Sequence, residues 1–148
     1  MVRRSPTPVR FETDVAGRLA SFAATHPGLS LSAAANLLVD EGLRVAEHPG
    51  IVFRDGPTGR RAGLAGGPDV WEIVRAVKSA RESERELGED DVLSLVVSNT
   101  GVPLPLVRTA VNYWASYPTA IDAEIDAAED AEATAEAAWR RQRDLLAR

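Results

Sequence analysis

The chain has 148 residues, of which 45% are hydrophobic, 26% charged and 5% aromatic, enough for one ordinary globular domain or two very small ones. Its 17 basic and 22 acidic residues give a net charge of −5, which excludes a whole-chain polycation and leaves nucleic-acid contact to local patches. The absence of cysteine excludes disulfides, zinc-thiolate sites and thiol nucleophiles. Charge is nevertheless uneven: residues 1–50 balance, 51–67 are net basic, and 119–148 carry eight acids against four arginines. The start, MVRRSPTPVRF, has no apolar h-region, and no apolar run approaches the ~20 residues of a membrane span. The expectation is a protein of the reducing cytoplasm with no membrane partner.

In chain order, TPVRFE over residues 7–12 alternates Val9 and Phe11 with Pro8, Arg10 and Glu12, the period of a short half-buried strand. Pro8 cannot donate to a ladder, so the strand is an edge or irregular one. A helix follows over about 13–25, with Val15, Leu19, Phe22 and Ala23 on one face and Asp14 near its start. His26-Pro27-Gly28 stops it. Ser30 or Ser32 caps a second helix that runs to about Glu47, where His48-Pro49-Gly50 repeats the stop.

Residues 51–64 read as a hairpin with a five-residue loop, Asp55-Gly56-Pro57-Thr58-Gly59. Asp69 and Glu72 have capping-box spacing and open a helix whose stripe is Val70, Ile73, Val74, Val77 and Ala80, ending near Gly88. Helices over Asp90–Ser98 and Pro105–Tyr117 flank an Asn99–Pro103 turn, a spacing that suits a helix-turn-helix. Beyond Pro118 lies one long helix with a thin, Ala-rich seam that needs a partner surface. The fold class expected is mainly α with short β elements, divided into 1–47, 48–118 and 119–148.

A strand and two helices in fewer than fifty residues cannot enclose a useful core without disulfides, metals or a second copy. Pairing two strands antiparallel under four helices solves this. The segments VRFETDVAGRLASFA and GLSLSAAANLLVDEGL resemble the ribbon-helix-helix family of CopG- or Arc-like repressors over about residues 6–47. That resemblance implies a homodimer through residues 7–47 on operator DNA, with Pro6, Pro8 and Arg10 facing the major groove. A backbone phosphate would sit at the helix end formed by Leu29, Ser30 and Leu31. Two of the three groove positions are proline, so Arg10 alone can reach a guanine bidentately. Arg3 and Arg4 would add phosphate contacts, and Arg60 and Arg61 would do so from the hairpin; for the latter two a solvated strand face is an equal reading.

EHPGIVFRDGPTGRRAGLAGGPDVWEIV and VRTAVNYWASYPTAIDAEI resemble a small winged-helix domain of bacterial antitoxins, covering about residues 47–127. The resemblance implies a cognate PIN-like ribonuclease toxin. On the last helix, Ile121, Ile125, Trp139 and Leu146 form the partner-facing seam, since Trp and Arg often anchor interfaces. Arg140, Arg141 and Arg143 could enter the carboxylate-rich metal pocket of such a nuclease, or pair locally with Glu136 and Asp144. Arg108, Thr109 and Asn112, on the helix that would serve as the recognition helix, are read as packing or partner residues, because Asp90 and Asp91 would repel phosphates.

His26 and His48 read as turn residues, and residues 63–67 lack the ending of a phosphate loop. No nucleophile has a base, so no catalysis and no cofactor or metal are expected. Function is expected to be that of a type II antitoxin repressing its own operon; the alternatives are a stand-alone ribbon-helix-helix regulator and a DNA-independent adaptor.

Overall fold

The structure, a computed structural model, describes residues 5–147. Among them are six helices and one antiparallel hairpin: α1 (Thr13–Ala24), α2 (Leu31–Glu47), β1 (Ile51–Gly56), β2 (Gly59–Leu64), α3 (Val70–Ser83), α4 (Glu89–Thr100), α5 (Leu104–Ser116) and α6 (Pro118–Leu146). The chain divides into two compact units, Met1–Arg44 and Val45–Arg148. No single helix among the described residues is long and apolar enough to cross a membrane.

In the first unit, residues 5–12 form no strand, which corrects the expectation for 7–12. A strand needs a partner to pair with, and Pro6 and Pro8 remove two of the amide donors a ladder needs. Val9 and Phe11 are 65% and 40% exposed rather than half buried. α1 and α2 match their expected spans. Ser30 is the residue that caps α2: its Oγ accepts the Ala33 N–H at 3.1 Å. Among the described residues of this unit, Leu19 and Ala34 are the buried apolar ones, whereas Val15, Leu31, Val39 and Leu43 stay exposed. So few buried side chains, at about 1.5–3 kcal/mol each for the large ones, cannot offset the chain entropy of two helices.

The second unit has a continuous core. Ile51 and Leu64, paired at the open end of the hairpin, pack with Val70, Ile73, Val96, Val107, Tyr113 and Ile121. The hairpin turn is tighter than expected. Gly56 pairs with Gly59, leaving Pro57 and Thr58 as the two turn residues. α3 stops at Ser83 rather than near Gly88, because its apolar stripe ends at Ala80 and the Arg81 guanidinium donates to the Leu87 carbonyl at 2.7 Å instead. α4 carries Glu89, Asp90 and Asp91 in its first turn, the end where a helix dipole favours negative charge. It ends on Gly101, whose φ of 72° is left-handed and whose N–H bonds the Val97 carbonyl at 2.9 Å. Across this link the axes of α4 and α5 turn by 113°. α6 is anchored by Ile121 and Ile125, and every described residue from 129 to 147 is exposed.

Candidate functional site

The residues expected to meet DNA in the first unit have simple surroundings. Arg10 is exposed on the irregular segment before α1; Arg3 and Arg4 lie outside the described residues. At the start of α2, the Leu29 N–H already donates to the His26 carbonyl at 3.1 Å and the Ser30 hydroxyl is committed to Ala33. An anion at this end would therefore have to use amides further along the first turn, such as that of Leu31. His26 stacks on Phe22 with ring centroids 4.0 Å apart, and its Nδ1 lies 2.7 Å from the Phe22 carbonyl oxygen, a turn lock rather than a ligand.

The hairpin arginines part company. Arg60 reaches Asp55 at 3.4 Å on the surface. Arg61 turns toward the start of α3: its Nε lies 2.9 Å from Oδ2 of Asp69, whose side chain is only 10% exposed. Arg54 approaches the other Asp69 oxygen at 3.4 Å and donates to the carbonyls of Leu64 and Gly67 at 2.5 and 3.0 Å. It reaches them by crossing Gly63, where a Cβ would stand 2.8 Å from the guanidinium carbon, so a larger residue there would make the Arg54 side chain shift. The Asp69 N–H in turn donates to Glu72 Oε2 at 2.9 Å, the capping box that opens α3. Two arginines, a buried carboxylate and a helix start thus form one electrostatic clasp between hairpin and α3. Spacing revealed the capping box; that Arg54 and Arg61 converge on it depends on hairpin register.

Glu124 of α6 completes this region. Its Oε2 is buried without a hydrogen-bond partner, and burial, reinforced by the Asp69 charge and only partly offset by Arg61, pushes its carboxyl up from 4.5 to about 7. The fold then holds a proton that the unfolded chain has already released. This contribution to stability is complete below pH 4.5, declines as pH rises between about 4.5 and 7, and is lost above. Glu124→Gln is expected to flatten that decline and to raise stability above pH 7 by about 1 kcal/mol, allowing for solvent screening of a half-exposed carboxyl. Urea midpoints of both proteins between pH 4 and 8 check this; parallel curves would contradict it.

α6 is tied to the domain by a second set of contacts. Asp122 Oδ1 accepts from Lys78 Nζ at 2.7 Å and from Trp114 Nε1 at 2.9 Å, and these bonds hold its carboxyl below the usual range. Arg75 reaches Glu132 at 2.8 Å and lies over the Trp71 ring. Ile121 and Ile125, expected on a partner-facing seam, are instead buried in this domain's own core: the stripe at 3–4 spacing is shared, its first turns packing inward and its later turns standing free. Beyond Glu132 the helix is a bare rod. Trp139, Leu145 and Leu146 are 53%, 78% and 74% exposed. Arg140 pairs with Glu136 and Arg143 lies 4.8 Å from the Trp139 ring centroid, so the tip presents an apolar ridge edged with arginine.

On α4 and α5, Arg108 approaches Asp90 at 3.5 Å and the Thr109 hydroxyl donates to the Pro105 carbonyl at 2.9 Å. Tyr113 is fully buried, 5.3 Å from the His48 ring and 4.9 Å from Tyr117, and the Tyr117 hydroxyl donates to Glu47 at 2.9 Å. His48 therefore belongs to an aromatic cluster. Comparison with known protein families, with curated proteins and with solved structures finds no match for this chain.

Proposed function

We propose that the chain is a type II antitoxin of the reducing cytoplasm, a ribbon-helix-helix dimer joined to a winged-helix-like domain and a partner-binding helix. The observation that carries this reading is the bare end of α6. A helix whose last turns expose Trp139, Leu145 and Leu146 beside three arginines gains nothing within its own domain and is built to be covered. A PIN-like ribonuclease offers a fitting surface. Its metal-binding carboxylates form an acidic pocket that a guanidinium enters and neutralises bidentately, through Arg140, Arg141 or Arg143.

The first unit supplies the other half of the reading. Val9, Phe11, Val15, Val39 and Leu43 are exposed, and a second copy would cover them while pairing the two segments around Arg10 into a ribbon on operator DNA. The 113° turn between α4 and α5 lies in the range of helix-turn-helix pairs, which supports the winged-helix reading of the second unit. A stand-alone ribbon-helix-helix regulator needs the same dimer but leaves the end of α6 without a role.

Truncation after Ala133 keeps Ile121, Ile125, Asp122 and Glu132, so the domain retains its anchors. The shortened chain is expected to fold yet to lose co-purification with, and neutralisation of, the nuclease encoded beside it. Neutralisation by the truncated chain would defeat the assignment. Arg10→Ala is expected to weaken operator binding in mobility shifts by about tenfold or more, the loss of one bidentate base contact.

A further inference from the structure

Glu124 sets α6 against the Asp69 clasp, and the contact is incompletely bonded. Arg61 Nε lies 2.9 Å from Asp69 Oδ2, but its buried N–H makes no hydrogen bond, and neither does the buried Oε2 of Glu124. Asp69 and Arg61 are the charges that act on Glu124. Behind them, Arg54 of β1 reaches the other Asp69 oxygen and Glu72 of α3 accepts the Asp69 N–H. Further along α3, Arg75 and Lys78 are taken by Glu132 and Asp122 of α6 itself, while α5 contributes the uncharged Trp114 indole, which donates to Asp122. One turn to either side of Glu124, α6 carries Ala120, Ile121, Ala127 and Ala128, none of them charged. A carboxylate formed here stands beside Asp69 with a dry oxygen that no donor satisfies, an arrangement that favours the neutral acid.

The other ties of the helix behave differently. Lys78 and Trp114 hold the Asp122 carboxyl below the usual range, so it stays charged and bonded while Glu124 changes state. Ile125, one residue beyond Glu124, is 6% exposed and covers the core just before the helix leaves the domain. We propose that Glu124 is the catch of a proton-operated latch: with its carboxyl protonated α6 lies closed on the Asp69–Arg61 clasp, and ionisation lets the helix beyond Asp122 lift away. Lifting uncovers Ile125 and extends the exposed apolar face of the helix inward. A more acid medium thus shortens the surface that the helix offers to a partner, and a neutral one lengthens it. The docked helix favours the protonated carboxyl, the lifted helix the ionised one. Lifting is therefore rarest below pH 4.5, grows as pH rises to about 7 and levels off above. The latch needs neither nuclease nor operator, so its failure leaves the antitoxin reading standing, and the reverse.

Single thiols introduced into the cysteine-free chain read the lifting directly. In full-length Ile125→Cys protein, labelling by N-ethylmaleimide is divided at each pH by that of the exposed Gln142→Cys, so that thiol ionisation cancels. The normalised rate is expected to rise about fivefold from pH 5.5 to 8, allowing for solvent screening of the Glu124 carboxyl. Adding Glu124→Gln should abolish the rise. Ala128→Cys, half buried on the same face, repeats the reading without shortening a core side chain. Val96→Cys, at a position of α4 only 1% exposed, reports unfolding of the whole unit and should label at least about tenfold more slowly than Ile125→Cys, the mark of a local opening. Equal rates at Val96→Cys and Ile125→Cys overturn the inference, because α6 then leaves only when the unit unfolds. So does a normalised rate that is flat with pH, or one that rises as steeply in the presence of Glu124→Gln.

Discussion

Asp69→Ala is expected to destabilise the second unit by about 3 kcal/mol, the lower end of the cost of leaving buried charge uncompensated. Three losses coincide. Arg61 and Arg54 lose the carboxylate they share at 2.9 and 3.4 Å, and α3 loses the residue that caps its first turn. The guanidiniums are themselves partly exposed, which keeps the cost below that of a fully dry pair. Arg54 also retains its two carbonyl acceptors. Asp69→Asn, which preserves shape and capping but removes the charge, should cost less than half as much. Urea unfolding followed by Trp fluorescence reads the difference, and a loss for Asp69→Ala below about 1 kcal/mol would show that the clasp is ornamental.

The second large effect is expected in the first unit. Val39 and Leu43 stand one turn apart on α2, 55% and 56% exposed, so aspartate at both positions leaves this chain's own packing untouched. In a shared four-helix core the same change buries two carboxylates without partners. In the chain truncated after Ala133, the double variant Val39→Asp with Leu43→Asp is therefore expected to sediment as a monomer that has lost helicity from α1 and α2 while the second unit stays folded. It should also bind operator DNA at least a hundredfold more weakly, because a ribbon built from two strands no longer exists and phosphate contacts are halved. Circular dichroism, sedimentation and mobility shifts on one preparation separate this outcome from simple unfolding.

Local rules made much of the fold readable from sequence. His48-Pro49-Gly50 ends α2 where expected, the Asp69–Glu72 spacing opens α3, and the run after Pro118 is one helix. What escaped was whatever depends on residues far apart. Alternation at Val9 and Phe11 encodes a strand, yet a strand exists only beside another. The charged run after Ala80 has good helix formers, yet nothing apolar to bury, so α3 ends early. Arg61 on a hairpin looks like a surface cation until strand register brings it to Asp69. Periodicity marked Ile121 and Ile125 as one face of α6 together with Trp139, but cannot say where along the helix its own domain stops covering that face.

The candidate sites divide the same way. Trp139 and its neighbouring arginines were legible because a Trp amid Ala and Glu has no local reason to be there. The buried Glu124 carries no sequence signature. Its setting arises from the crossing of helices whose contact residues are individually ordinary.

Everything proposed for DNA rests on the first unit completing its core with a second copy. Sedimentation equilibrium of the chain truncated after Ala133, which lacks the α6 tip, isolates that surface. At micromolar concentration it is expected to give twice the mass of the truncated chain, with the helix content of α1 and α2 retained. A folded particle of single-chain mass under those conditions would contradict the account.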